Sequence, residues 1–131
     1  FLCVDVVDPT GGGTLALAGS HRLVDRYQQT LSEPDREGNA GTWGRFMRAH
    51  EWTRDLVNPG AEPQRTRRLT TQAVTIDGVD VRVVEMTGQP GDGYLTDLHT
   101  FHCVAPNTLA RPRIMLGLVF KRRGDDSLST G

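Results

Sequence analysis

Around Asp77-Gly78, apolar side chains fall at every second position: Val74 and Ile76 before the pair, Val79, Val81 and Val83 after it. A period of two is that of a half-buried strand, and Asp-Gly between two such runs supports a type I′ turn, so the pattern predicts a β-hairpin. At the start of the chain Val4, Val6 and Val7, then Leu15 and Leu17, predict two short strands. The loop that joins them carries Pro9 and Gly11-Gly12-Gly13, where glycine tolerates unusual dihedrals.

Between Ser20 and Gln72 the period lengthens. Leu23, Val24, Tyr27 and Leu31 repeat at helical spacing behind Ser20, a good N-cap residue. Residues 33–41 are polar and rich in turn formers, which predicts a loop. Thr42 then caps a second helix with Trp43, Phe46, Met47, His50 and Val57 on one stripe, and Asn58-Pro59-Gly60 stops it. Further on, residues 89–93 read as a turn, and residues 94–96, 102–104 and 113–121 as short strands. Short strands broken by turns, with a helical insert at about residues 20–70, predict a mainly β fold of the double-stranded jelly-roll type, a cupin-like barrel. Neither an internal repeat nor a low-complexity tract is present.

The 131 residues, 37% of them hydrophobic, suffice for one core and one domain. A net charge of -1 argues against a nucleic-acid surface, which needs an excess of cations facing the phosphates. Nine arginines between Ser20 and Gln72 are interleaved with seven acids, the pattern of a solvated, ion-paired helical face. No apolar stretch is long enough to span a bilayer and there is no secretory leader pattern, so a cytoplasmic setting without a membrane partner is expected. In that setting Cys3 and Cys103 are expected to be free thiols, Cys103 as a packed small hydrophobe.

The candidate chemistry lies near the end of the chain. Gly91-Asp92-Gly93 is followed by His102, by Pro106-Asn107, and by Arg111-Pro112-Arg113, with His102 and Arg113 eleven residues apart. A histidine at a strand start can bind a metal, and an arginine on the next strand can grip a carboxylate with two hydrogen bonds. Arg113 opens the apolar run Ile114-Met115-Leu116 and would be costly to bury without an anionic partner; an internal salt bridge is the plain alternative. Arg111, before a proline at the turn, is expected to face solvent.

These four elements, in this order, resemble the late motif of the phytanoyl-CoA dioxygenase family of Fe(II)/2-oxoglutarate oxygenases. The resemblance extends to the first residues, where the strand, the glycine turn and Gly19-Ser20-His21-Arg22 are similar to the family's Pro-Gly-Ser-His segment, with Ala18 in place of the proline. It implies a jelly-roll oxygenase that uses Fe(II) and 2-oxoglutarate to hydroxylate a small organic substrate with molecular oxygen. His102 would be a metal ligand and Arg113 the residue that holds the far carboxylate of 2-oxoglutarate.

The family's iron is held by a His-x-Asp or His-x-Glu pair together with one distant histidine, a facial triad that leaves positions open for co-substrate and oxygen. No such pair occurs here, since His21, His50, His99 and His102 are followed two residues on by Leu23, Trp52, Phe101 and Val104. In the family the pair lies upstream of the strand begun by Phe1. The chain is therefore expected to be the C-terminal part of the domain, inactive alone. Two other functions remain open: a halogenase of the same fold, in which a small residue replaces the carboxylate, and a metal-free binding module. His99 is a weaker candidate, at the rim of the site; so are Trp43 and Trp52, which on a helix stripe are more often core.

Overall fold

The computed structural model describes residues 1–32, 40–57 and 64–120. Strands β3 (Ala73–Ile76) and β4 (Val79–Met86) form the expected hairpin, with Ile76 opposite Val79 and Val74 opposite Val81. Asp77 and Gly78 take φ values of 48° and 72°, the two successive left-handed residues of a type I′ turn. Because opposed residues share a face, the alternating valines bury one side: Ile76, Val79, Val81 and Val83 are all in the core. On the other side Thr75 donates its hydroxyl hydrogen to Asp80 at 2.6 Å.

The hairpin is extended by β2 (Thr14–Ala18), which pairs with β4 from Thr14 opposite Met86 to Ala18 opposite Arg82. The far edge of β2 pairs with β5 (His102–Val104), so the sheet order is β3-β4-β2-β5, antiparallel throughout. A separate two-stranded sheet joins β1 (Leu2–Cys3) to β6 (Met115–Leu116). Thus β1 and β2, although joined by the short glycine loop, belong to different sheets.

Four helices are described: α1 (Ser20–Thr30), α2 (Ala40–Ala49), α3 (Glu51–Val57) and α4 (Arg65–Thr71). Leu23, Met47 and Leu69 bring α1, α2 and α4 onto the valine face, where they join Leu17, Ile76, Val79, Val81 and Val83 in one cluster. Each aliphatic side chain buried there contributes about 1.5 to 3 kcal/mol relative to exposure.

Several expectations need correction. The fold is mixed rather than mainly β, with two antiparallel sheets and helices, and no closed barrel is found among the described residues. Residues 94–96 form no strand: Gly93 makes a single bridge to Leu2, Tyr94 donates its N–H to Phe1, and beyond that no strand among the described residues lies opposite, leaving Leu95 92% exposed. The strand expected at residues 113–121 shortens to Met115–Leu116, its residue 121 lying outside the described part. In the region read as a loop, Ala40 and Gly41 are already helical, so Thr42 is inside α2 rather than its cap.

The single second helix is two, divided at His50. The His50 carbonyl accepts from the Arg54 N–H at 2.9 Å and the Thr53 hydroxyl at 3.0 Å, while its Nδ1 accepts from the Trp52 N–H at 3.2 Å. An imidazole expected on an apolar stripe is instead an exposed cap. Helix α4 falls within the expected helical insert but has no helical stripe of its own in the sequence. It carries one buried apolar residue, Leu69, and is held otherwise by the Arg68–Asp55 ion pair at 2.9 Å and by Thr70 bonding back to Thr66. The stop expected at Asn58-Pro59-Gly60 lies outside the described residues.

Ser20 does not cap α1. Gly19 occupies the cap position at φ 88°, and the Ser20 hydroxyl, fully buried, accepts the N–H of Phe101 at 2.9 Å. A Cβ at Gly19 would stand 2.4 Å from the Asp80 carbonyl oxygen, whereas one at Gly78 would meet nothing closer than the tip of Arg26 at 3.5 Å. Gly78→Ala should therefore cost only the left-handed backbone penalty of about 1 kcal/mol. Gly19→Ala adds a clash with backbone and should cost about 3 kcal/mol. Denaturant midpoints of the two variants check this; equal losses would mean that the close approach at Gly19 relaxes freely.

Candidate functional site

Strand β5 lies at the sheet edge, with Ala16 opposite His102 and Leu15 opposite Cys103. Alternation puts Cys103 on the helix-covered side with Leu15, Leu17 and Val83, and His102 on the other side with Ala16 and Val84. On that side the His102 ring meets Phe1 edge-on, with centroids 5.2 Å apart. Its Nδ1 lies 2.9 Å from the Thr100 carbonyl oxygen. A carbonyl can only accept, so Nδ1 is the donor in this contact; in the neutral ring that places the lone pair on Nε2, the arrangement of an imidazole that binds metal through Nε2.

The segment after β5 is held by a short network. Ala105 donates its N–H to Gly13 at 3.0 Å, and Gly11 and Asn107 form a bridge. The Asn107 amide closes the turn: its Oδ1 accepts from Leu109 at 2.9 Å and its Nδ2 donates to the Arg111 carbonyl at 2.8 Å. Arg111 does face solvent, but it also binds Asp5 at 2.6 Å. The Asp5 carboxyl is held below its usual range by the N–H of Val6, which it accepts at 2.7 Å, and then by the Arg111 guanidinium.

Arg113 is half-buried, and no hydrogen bond or ion pair to another described residue engages it. The internal salt bridge in this motif belongs to Arg111, two positions earlier.

The remaining candidates are dispersed. His99 is exposed, its Nδ1 3.3 Å from Asp25 on α1 and 3.8 Å from Asp97. Trp52 packs against the core cluster, and its buried Nε1 has no hydrogen-bond partner among the described residues. Trp43 lies in α2, and its side chain is outside the described residues. Among the described residues no group of three His, Cys, Asp or Glu side chains is arranged to hold a metal ion.

One feature on the helix side had no signal in the sequence. A cavity of about 420 Å³ opens between the sheet and α2, α3 and α4, lined by Leu15, Leu17, Met47, Leu69, Val83 and Phe101, with Arg65, His102 and Cys103 also contributing. Arg113 does not line it. Cys103 is a free thiol but is exposed rather than packed, and no strand among the described residues covers the outer edge of β5. Partial burial pushes its thiol up, against the opposing pull of the Arg65 charge. The sequence marks apolar positions, whereas a gap between them depends on how far the helices stand off the sheet.

No helix among the described residues is long and apolar enough to cross a membrane. No protein-family model, curated protein or solved structure matches the chain.

The Asp5–Arg111 pair makes a testable link between pH and stability. A carboxyl whose folded pKa is depressed stabilises the fold above its unfolded pKa and loses that contribution as pH falls through the folded value. Asp5→Asn should therefore unfold at lower urea than wild type at neutral pH, and the difference should begin to shrink as pH falls past the ordinary carboxyl value of 3.8 and vanish only below the lowered folded value. A pH-independent difference would assign the loss to the Val6 turn geometry rather than to charge.

Proposed function

We propose that this chain contributes to an Fe(II)- and 2-oxoglutarate-dependent dioxygenase that hydroxylates a small organic molecule, as part of a longer cytoplasmic polypeptide. The observation that carries the reading is the Nδ1–carbonyl bond of His102, which leaves Nε2 free on the side of the sheet away from the helices. The half-buried Arg113, unpaired among the described residues while Arg111 takes the aspartate, supports it further. The four-stranded and two-stranded sheets are read as facing parts of a jelly roll.

The residues present fit one corner of such a metal site and do not complete it. His102 supplies one imidazole; the His-x-carboxylate pair must come from outside these 131 residues. Iron with 2-oxoglutarate would supply the oxidising power. This chain's own share is orientation. The Thr100 carbonyl holds the imidazole in one tautomer, and the edge of Phe1 restricts its rotation. Asn107 clamps the turn between His102 and Arg113, and the planar Arg113 fork matches a carboxylate in two parallel hydrogen bonds.

Residues 1–131 alone should show no tight stoichiometric Fe(II) binding in anaerobic calorimetry, because one imidazole cannot form a facial site. In the full-length polypeptide, His102→Ala should abolish iron-dependent 2-oxoglutarate decarboxylation with the fold intact. Retained turnover at unchanged iron occupancy would remove His102 from the ligand set. Arg113→Lys keeps the charge but loses the fork. It should weaken 2-oxoglutarate binding about tenfold to a hundredfold, the loss of one charge-assisted hydrogen bond, and leave iron binding unchanged. Wild-type affinity in that variant would mean that another cation grips the co-substrate.

A further inference from the structure

The helix-side cavity, which His102 also borders, opens on the face of β5 that carries Cys103 and is not required by the reading above. At about 420 Å³ it falls within the range of roughly 300 to 1,000 Å³ typical of small-molecule sites. Its walls are Leu15, Leu17 and Val83 from the sheet, Met47 and Leu69 from the helices, and the ring of Phe101. An apolar cavity of this size favours an apolar occupant, since water inside would lack partners.

The polar element at its edge is a cation. Arg65, half-buried at the start of α4, uses Nη2 to bond the carbonyls of Asp55 and Leu56 near the end of α3. Carbonyls satisfy guanidinium hydrogens without neutralising the charge, and Arg65 has no carboxylate partner among the described residues. The carboxylate of Asp55, whose carbonyl takes one of those bonds, is engaged by Arg68 at 2.9 Å. The positive charge of Arg65 also reaches Cys103 on the opposite wall, where it favours the thiolate against the effect of burial.

We propose that this cavity binds an amphiphilic anion, an aliphatic or aromatic body of roughly ten carbons with a carboxylate or similar head paired to Arg65. The body would rest against Phe101 and the leucine and valine walls, and the guanidinium hydrogens not used by the α3 carbonyls would receive the head group. Arg65 is here a binding residue distinct from Arg113, so the site can exist whether or not the chain takes part in oxygenase chemistry.

Cys103 provides the readout. It lines the cavity and is exposed, whereas Cys3 is 1% exposed, so neutral iodoacetamide should alkylate Cys103 selectively. The rate at Cys103 is followed by mass spectrometry of the 131-residue chain with sub-micellar decanoate or with decanol. Decanoate should protect Cys103, at concentrations on the order of tenfold lower than decanol, the ratio expected of one charge-assisted hydrogen bond. Val57→Trp, at a 44% exposed position of the lining, should abolish protection by filling the mouth. Arg65→Met should reduce decanoate to the level of decanol. No protection by decanoate up to its solubility, or undiminished protection in a folded Val57→Trp, would overturn the site. Equal protection by decanoate and decanol in the wild type would overturn the anionic head group, and that comparison decides even if Arg65→Met fails to fold. None of these outcomes depends on iron, so failure here leaves the oxygenase reading standing, and the reverse.

Discussion

Strand β2 is hydrogen-bonded along both edges, to β4 over five residues and to β5 over three, and everything else in the molecule takes its position from that ladder. A strand with a partner on each side cannot slip by one residue without moving its whole apolar set to the wrong face. Leu17 must meet Val83, and the valine face must meet the helices. The same register decides which side of β5 carries the imidazole and which the thiol. Had β5 paired one residue away, the imidazole and the thiol would have exchanged faces of the sheet.

A second constraint ties the helices to that ladder. Gly19 turns the chain out of β2 by a left-handed residue pressed against the Asp80 carbonyl, and Ser20 then receives the N–H of Phe101. The Phe101 carbonyl in turn accepts from Leu17 at 2.8 Å. Both backbone groups of Phe101 are thus satisfied by the β2–α1 junction, and its ring is left to stack on Phe46 of α2 and to line the cavity. The residue immediately before His102 is therefore fixed by α1 and α2, which links helix packing to the approach of β5.

At the candidate site the sequence distinguishes residues better than it distinguishes relationships. His102 stands out by its place before Pro106-Asn107 and Arg111-Pro112-Arg113, and Asn107 does close the turn between them. Which of the two arginines would find an acid could not be read, because Asp5 lies 106 residues from Arg111 and long-range pairing, β1 with β6 and Val4 and Asp5 with Ile114, brings them together. The same long-range placement hides Arg65. Its role depends on the carbonyls at the end of α3 and on the distance between two helices, neither of which has a local signature.

What the sequence determined by itself is local. Asp77-Gly78 dictates a turn whose twist matches the flanking strands, and strict alternation on either side leaves one face to bury. The spacing of Leu23, Val24 and Tyr27 likewise suffices for α1, because backbone geometry alone places those side chains on one stripe. Tertiary structure decided the rest. It broke the second helix at His50 and assembled α4 around a single leucine. It withheld a strand from residues 94–96, where no edge among the described residues lies opposite. A strand or an ill-patterned helix persists only where a distant partner satisfies its hydrogen bonds and covers its apolar face, and that partner is supplied by the fold, not by neighbouring residues.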